Sequence, residues 1–370
     1  MKPFTVPAKR IIFTINNDPA TDQRMLRICT SLAAAGYQVE LIGRKMTGLP
    51  LPAAGFAIKR LATWFRKGPL SYAEINARIF CCLLFRRADV FCAIDLDTIL
   101  PVYINSRLKR TTRVYDAHEY FSELREVVRR PFIQKIWQRI EAFALPRFPQ
   151  GYTVSESIAA AFRQRYGVDY KLIRNVPLRS HLFTPVTRRR KKLLYQGAIN
   201  EGRAIENLLL AMQTVDAGLD LYGSGNRLEA CKAISRQLGL EGKVFFCGQL
   251  PPDQLKTVTG GYWVGINLVE AEGLNQYYSL ANKFFDYINA GIPQVTMNYP
   301  EYKRVQEKTE VAVLINSTQP AEIAAALNYL LNDIVVYKRL TENCQQAAAM
   351  YCWENEEKDL LDFYKNLPAN

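Results

Sequence analysis

Histidine is scarce in this sequence, and its cysteines lack the spacing of a metal site or a disulfide scaffold. The 370 residues include two histidines, His118 and His181, and eight cysteines without a Cys-x-x-Cys pair. Structural metal sites and disulfide frameworks need cysteine or histidine clustered at short, regular spacing. We therefore expect no bound metal and no cofactor, and we expect reduced cysteines, as is usual in the cytosol.

Long apolar runs are also absent. No stretch reaches the roughly 20 apolar residues that a membrane-spanning helix needs. The N-terminus lacks a signal-peptide apolar core and enters a strand-like segment at residues 10–16. With neither internal repeats nor low-complexity tracts, the chain is expected to be a cytoplasmic globular protein of about two domains.

Positive charge is abundant in one half of the chain only. Residues 1–175 contain 28 Lys and Arg and 14 Asp and Glu, a net charge of +14, whereas residues 176–370 contain 20 and 21, a net charge of −1. A need for solubility does not predict this asymmetry, but an anionic partner of the first half does. No nucleic-acid-binding module is present, so we expect an anionic membrane surface rather than nucleic acid. Peripheral association with the inner face of the cytoplasmic membrane is the corresponding location.

One predicted helix of the basic half fits this hypothesis. Arg129, Arg130, Lys135 and Arg139 flank an apolar stripe that includes Trp137. Packing in a protein core is the commoner use of such a stripe. A basic helix with an interfacial tryptophan is also typical of a membrane surface.

Apolar runs alternate with helical patterns almost throughout, as a parallel α/β fold requires. The stretch 176–192 combines proline, charge and weak periodicity, and is predicted to be a linker. We predict two doubly wound, Rossmann-like domains, 1–175 and 176–352, facing across a cleft at the carboxyl ends of their strands. The helix near 353–370 is a candidate to pack back on the first domain. Strands are predicted near 10–16, 37–43, 56–62, 89–94, 111–116, 150–154, 170–174, 193–195, 219–222, 243–246, 262–267, 294–297 and 311–315.

Two polar clusters follow strands of the first domain. Asn17, Asp22 and Arg24 lie in the first strand-to-helix turn, where ligands usually bind in such folds. The turn has no glycine and is not a dinucleotide fingerprint. A helix cap followed by a solvated arginine is the alternative. The second cluster, Asp116–Glu119, places His118 between carboxylates at the same sheet edge, although a lone histidine is more often structural than catalytic.

Two further turns in the second domain are candidates for phosphate binding. Gly223-Ser224-Gly225 follows a strand, but the third glycine of a nicotinamide-binding motif is missing. Arg203 follows another strand and glycine, and an arginine there can hold a phosphate bidentately. By composition alone it is equally a surface charge.

The segment Ser279–Pro293 carries the densest functional signal. It predicts a short helix with Ser279 as N-cap, ended by Gly291 and Pro293. Lys283 lies in the first turn, where the helix dipole disfavours a cation unless an anion is also present. Free amides and a lysine suit a diphosphate, and Asp286 suits ribose hydroxyls. An ordinary amphipathic helix is the alternative.

These segments together resemble the retaining glycosyltransferases of family 4, which have the GT-B fold. The resemblance covers nearly the whole chain. Its strongest part is Asn282–Tyr287 with Ala290–Pro293, which is similar to the nucleotide-binding helix of that family. The other matching segments are Tyr195–Gly197 with Arg203, Leu221–Gly225, Val244–Gly248, Asp116–Glu119 and Thr21–Arg24.

The resemblance implies a metal-independent hexosyltransferase. It would take a sugar from a nucleoside diphosphate, of UDP or GDP type, to a glycan or polyprenyl-linked acceptor. His118, Arg203 and Lys283 take the catalytic roles. Donor-binding residues are Gly197, Gly223, Ser224, Phe246, Tyr278, Ser279, Leu280, Asn282 and Asp286, and acceptor or cleft residues are Asn17, Asp22, Arg24, Asp116 and Glu119.

Two alternatives remain open. A sugar-nucleotide epimerase or hydrolase uses the same two-domain fold. A non-catalytic subunit that binds a nucleotide-sugar is the other. The sequence leaves room for the non-catalytic subunit because Tyr278 stands where the family often carries a glutamate.

Overall fold

Parallel strand pairing governs the structure, a computed structural model that describes residues 9–180 and 183–368. Every strand pair in these ranges is parallel. Parallel strands need long crossover connections, usually helices, and the sequence supplies a helix after most strands. The chain is therefore an α/β protein with two sheets, as the sequence predicted.

The described chain divides into two units. The first comprises the described residues up to Arg174 together with those from Glu357 onward, and the second is Asn175–Glu356. The last helix begins in the second unit and belongs to the first from Glu357 on. Within the first unit, Tyr364 of this helix is fully buried, and its ring packs against Phe13 and Tyr152.

The first unit is built on seven strands. They are β1 Arg10–Thr14, β2 Gln38–Arg44, β3 Ala57–Leu61, β4 Val90–Ile94, β5 Thr112–Ala117, β6 Gln150–Thr153 and β7 Lys171–Leu172. Their spatial order is β3-β2-β1-β4-β5-β6-β7. The helices of this part are α1 Gln23–Ala34, α2 Pro69–Leu84, α3 Ile99–Lys109, α4 Arg125–Val128, α5 Pro131–Ala144 and α6 Glu156–Tyr166.

The second unit is built on six strands. They are β8 Arg190–Gln196, β9 Gly218–Tyr222, β10 Val244–Gly248, β11 Tyr262–Asn267, β12 Gln294–Met297 and β13 Ala312–Ile315, in the spatial order β10-β9-β8-β11-β12-β13. The remaining helices are α7 Ile205–Ala211, α8 Leu228–Gln237, α9 Pro252–Thr259, α10 Leu274–Tyr277, α11 Asn282–Asn289, α12 Pro300–Lys308, α13 Pro320–Asn332, α14 Ile334–Met350 and α15 Trp353–Lys365.

Several local expectations need correction. The predicted linker 176–192 ends in a strand, because β8 already begins at Arg190. His181 lies outside the described residues. The apolar stripe of α5 is only partly packed in the core, since Phe132 is 74% exposed and Ile136 is also exposed, whereas Trp137 packs against Phe121. All eight cysteines are free; Cys81 and Cys247 are exposed, Cys82 is half-buried and the others are buried.

One of the contacts between helix α11 and the second sheet is made by a tyrosine. Tyr287 is fully buried, and its hydroxyl lies within hydrogen-bond distance of the carbonyls of Leu194 and Ile266, at 3.2 and 3.3 Å. The ring lies against Gly265 of β11, where an added Cβ would be 2.5 Å from ring carbons. The absence of a side chain at Gly265 therefore sets how closely α11 approaches the sheet.

Replacing Gly265 with alanine is expected to destabilise the second unit. The new methyl group overlaps the Tyr287 ring, and overpacking of this kind costs about 1–3 kcal/mol. Thermal unfolding followed by calorimetry measures the loss. Gly242→Ala is the matched control, because a Cβ there meets nothing within 4 Å. Equal melting temperatures for the two variants would contradict the account of α11.

Candidate functional site

Polar side chains of the first unit gather at the carboxyl ends of β1, β4 and β5. Asp22 caps α1, since its carboxylate accepts the N–H of Met25 at 3.0 Å. It also lies 3.4 Å from the amide nitrogen of Asn17. The helix-cap interpretation of Asp22 is therefore what the structure shows. Glu119 is exposed at the same edge.

Arg24 is not the solvated arginine that the sequence allowed as an alternative. Its side chain is 3% exposed, and Nη2 donates to Asp116 Oδ1 at 3.2 Å and to the carbonyl of Ile173 at 3.1 Å. A buried guanidinium needs such partners, because desolvation of an unpaired charge is costly. Arg24 thus supports Asp116 from inside the unit.

His118 is held by the other oxygen of the same carboxylate. Its Nε2 lies 3.0 Å from Asp116 Oδ2. Burial alone lowers the pKa of His118, but the charge of Asp116 and this hydrogen bond outweigh burial and raise it to about 8. Burial raises the pKa of Asp116, but His118 and Arg24 lower it below its usual value. The imidazolium is thus favoured at neutral pH.

Sequence reasoning missed two carboxylates at this edge. Asp95 directly follows β4, and its Oδ1 accepts the backbone N–H of His118 at 2.9 Å. Asp97 accepts from Asn16 Nδ2 at 2.9 Å, and burial raises the pKa of Asp97 to about 6. The signal was available, because Asp95-Leu96-Asp97 follows a predicted strand and parallel strands end at one edge.

In the second unit, glycine turns after three strands converge. The N–H of Gly197 donates to the carbonyl of Tyr222 at 2.9 Å, and the N–H of Gly223 donates to that of Gly248 at 2.7 Å. Gly223 has φ 157°, and a Cβ there would lie 1.8 Å from the Gly197 carbonyl oxygen. Only glycine permits this approach of the two turns.

Beside these turns lies a cavity of about 650 Å³, within the usual range for a small-molecule site. The predicted residues Gly197, Gly223 and Ser224 line it. Phe246 does not: it packs half-buried against the hydrophobic core, beside a register shift between Phe246 and Gly248. The lining residues that the sequence did not indicate are Ala198, Tyr222, Gln249, Leu250, Pro251 and Leu255.

Lys283 ends close to the Gly197 turn. Its Nζ is shielded from solvent and has no hydrogen-bond partner among the described residues. It lies 3.8 Å from the ring centroid of Tyr195 and 3.5 Å from where a Cβ of Gly197 would be. Burial and the charge of Arg203 lower the pKa of Lys283 well below its usual value, with Asp286 acting against them. The charge of Arg203 thus acts on a buried amine to which no described side chain is hydrogen-bonded.

The start of α11 differs from the prediction. The helix begins at Asn282 with Ala281 as N-cap. Ser279 does not cap it, because the serine hydroxyl donates backward to the carbonyl of Gln276 at 2.9 Å and closes the end of α10. Lys283 nevertheless remains in the first turn.

The other predicted donor residues are placed around this helix. Asp286 accepts from Gln196 Nε2 at 3.0 Å, and Asn282 accepts from Asn175 Nδ2 at 2.8 Å. Tyr278 is half-buried with its ring against Tyr277, whereas Leu280 is buried in the core. Arg203 lies just before α7, which begins at Ile205 rather than at the arginine.

Comparison with known proteins identifies the family. The model of the Glycosyltransferase Family 4 matches residues 22–177, and that of the Glycosyl transferases group 1 matches residues 183–347. Together these matches span most of the chain. The chain belongs to the family 4 and group 1 glycosyltransferases. The resemblance inferred from the sequence is thereby confirmed.

Individual relatives are distant. The D-inositol 3-phosphate glycosyltransferase of Corynebacterium urealyticum is 26% identical over 148 residues, and the match covers 40% of this chain but only 34% of that protein. Sucrose-phosphate synthase from Thermosynechococcus elongatus superposes with a TM-score of 0.79 at 16% identity, over 97% of this chain and 99% of the other. Anabaena HepE, solved with UDP and glucose, superposes with a TM-score of 0.74 at 14% identity, over 97% of this chain and 100% of the other. These two likenesses confirm the GT-B fold.

Two properties of the described residues bear on binding. They contain no helix long and apolar enough to cross a membrane. They also contain no group of three or more His, Cys, Asp or Glu side chains arranged to hold a metal ion.

The pKa of His118 can be measured directly, because the chain has only two histidines. One imidazole signal is expected to titrate near pH 8 in a ¹H–¹³C NMR titration, and His118→Gln should remove that signal. This pKa lies above the value near 6.5 that histidine has in the unfolded chain. The His118–Asp116 ion pair therefore stabilises the folded state fully below about pH 6.5. This stabilisation is lost as the pH rises through about 8. Titration of both imidazoles near 6.5 would contradict the ion pair.

Proposed function

We propose that the protein is a retaining glycosyltransferase that moves a hexose from a UDP or GDP sugar to a glycan or polyprenyl-linked acceptor. The observation that carries this proposal is the Lys283 ammonium, shielded from solvent without a hydrogen-bond partner in the described chain and close enough to Arg203 for that charge to depress its pKa. A buried cation of this kind is costly unless an anion arrives. A diphosphate supplies that anion.

The cavity beside the glycine turns gives the donor an orientation. Its lining combines backbone turns, Tyr222, Gln249 and Leu255, which suits a nucleoside. The diphosphate then lies toward Gly197, Arg203 and Lys283, with Asp286 in reach of ribose hydroxyls. The complex of Anabaena HepE with UDP and glucose supports this class of ligand.

The reaction breaks the bond between sugar C1 and the diphosphate oxygen and forms the bond between C1 and the acceptor oxygen on the same face. The acceptor proton passes to the departing phosphate oxygen. Arg203 and Lys283 stabilise the charge that develops on the diphosphate. In this proposal they do so without a metal ion. The family resemblance gives His118 of the first unit the role of a cation in this reaction, rather than that of a nucleophile.

Substituting Lys283 with methionine is expected to separate stability from binding. In the absence of ligand the variant should melt higher than the native protein, because it removes a buried nitrogen that has no hydrogen-bond partner in the described chain. A saturating nucleoside diphosphate should raise the native melting temperature, since a ligand at 100 times its Kd adds about 2.7 kcal/mol. The same nucleoside diphosphate should leave the melting temperature of the variant unchanged. Differential scanning fluorimetry with UDP, GDP and ADP measures both effects.

Lys256→Met is the control, because Lys256 is an exposed lysine of the same unit. It should retain the nucleotide-induced shift. A native protein that shows no shift with any of the three nucleotides would count heavily against the proposal.

Analysis of the reaction products identifies the acceptor and distinguishes a transferase from the alternative functions. Mass spectrometry of a nucleotide-sugar panel incubated with lipid extract identifies the sugar and the acceptor. Turnover of the nucleotide-sugar without acceptor would favour an epimerase or hydrolase. Nucleotide binding with no product across the panel would favour a non-catalytic subunit.

We further propose that the first unit docks on anionic lipid through a surface that we call the basic aromatic surface. Its apolar members are Trp64, which is 85% exposed, together with Phe65, Leu70, Phe132 and Ile136. Tyr72 of α2 contacts Trp137 of α5 with ring centroids 5.3 Å apart, which joins the two helices. The exposed cations on the same segments are Arg66, Lys67, Arg129, Arg130, Lys135 and Arg139. Aromatic and apolar side chains among cations are typical of an anionic interface.

Liposome flotation tests this surface. The native protein is expected to float with vesicles containing phosphatidylglycerol but not with pure phosphatidylcholine, and less at high salt. Substituting Arg129 and Arg130 with serine should weaken partitioning about tenfold or more, at about 1 kcal/mol per charge.

Phe132→Ser should also weaken partitioning, whereas Val335→Ser in the second unit should not. Both side chains are 74% exposed, so they form a matched pair. Flotation that does not depend on salt would contradict docking through this surface. So would an equal loss of partitioning in Phe132→Ser and Val335→Ser.

A further inference from the structure

We propose that Asp95 is a positioning residue that fixes the segment carrying His118 for catalysis. The inference rests on the role of His118 in the proposed reaction. Asp95 was not among the sequence candidates. What singles it out is the combination of its hydrogen bonds with its backbone conformation.

Asp95 clamps the end of β5 from the neighbouring strand. Its backbone N–H donates to the carbonyl of Asp116 at 3.0 Å. Its Oδ1 accepts the N–H of His118 at 2.9 Å and lies 3.3 Å from that of Glu119. One residue thereby holds the backbone on both sides of the His118 side chain.

The backbone of Asp95 is unusual in a way that points to its carboxylate. Three residues other than glycine have positive φ in the described chain: Asp95, Arg110 and Ala204. Arg110 and Ala204 adopt the left-handed helical conformation. Asp95, at φ 56° and ψ 171°, lies outside it, in a region that essentially only glycine occupies without strain. Glycine would fit this backbone better, but it has no carboxylate to hold His118.

The imidazole is held separately. Asp116 bonds the ring at Nε2, and Arg24 in turn bonds Asp116. The two aspartates therefore have complementary roles, since Asp116 orients the ring and Asp95 sets where the backbone of His118 lies. A catalytic group needs both, because a displacement of about 1 Å can reduce a rate about 100-fold.

Asp95→Gly separates positioning from stability. The glycine relieves the backbone strain and removes the carboxylate, so the melting temperature should equal or exceed the native value. The turnover number should fall about 10- to 100-fold while the Kd for nucleotide stays within about twofold. The NMR signal of the His118 imidazole should shift or broaden. A merely structural residue would instead lose activity in proportion to stability.

Two further variants complete the series. Asp95→Asn keeps an acceptor oxygen and tolerates positive φ, so it should retain turnover within about threefold. Arg110→Gly relieves positive φ at an exposed helix end and should leave turnover unchanged. If Asp95→Gly does not fold, Asp95→Ala takes its place in the comparison with Asp95→Asn.

Native turnover in Asp95→Gly or Asp95→Ala would overturn the proposal, as would equal losses in the asparagine variant. An unchanged His118 signal would also overturn it. Because that signal is read without substrate, failure of the positioning role is distinguishable from failure of the proposed reaction, which would show as no transfer by the native protein.

Discussion

The rest of the structure depends on one constraint, that parallel strands all leave their sheet at the same edge. In the first unit this edge brings Asn17, Asp95 and His118 together from three strands. In the second unit it brings the turns after β8, β9 and β10 so close that Gly223 tolerates no side chain against the carbonyl of Gly197. The chemistry is thus assembled from short segments that are far apart in sequence, and the helices between them serve mainly to return the chain to the same side.

The two units treat buried positive charge differently. Arg24 is neutralised within the first unit by Asp116, which also bonds His118. Lys283 has no such hydrogen-bonded partner in the described chain and rests against the face of Tyr195. A paired cation stabilises a local structure, whereas one without a hydrogen-bonded counter-ion lowers stability until a ligand arrives. Proteins generally accept such a loss of stability at functional sites, and this contrast separates the supporting arginine from the binding lysine.

Much of the fold could be predicted from local sequence pattern. The bounds of β11 and β12 agree with prediction residue for residue, because each is a short, mostly apolar segment that directly follows a glycine or a proline. The predictions that the structure contradicts depend on side-chain contacts that no local sequence pattern contains. Arg24 is buried by an ion pair with a residue 92 positions away. Ser279 bonds backward into α10 instead of forward into α11. Phe246 turns into the core beside a shift in strand register, so the cavity is lined by residues that follow it.

The position of Tyr364 bears on how the chain acquires its structure during synthesis. This side chain is fully buried among Phe13, Tyr37 and Tyr152 of the first unit, yet the ribosome makes it only after the whole second unit. The nascent first unit therefore lacks one aromatic side chain of its core while the second unit is being synthesised. Vectorial synthesis consequently delivers all residues of the second unit before the last residues of the first, so the unit that begins first is completed last.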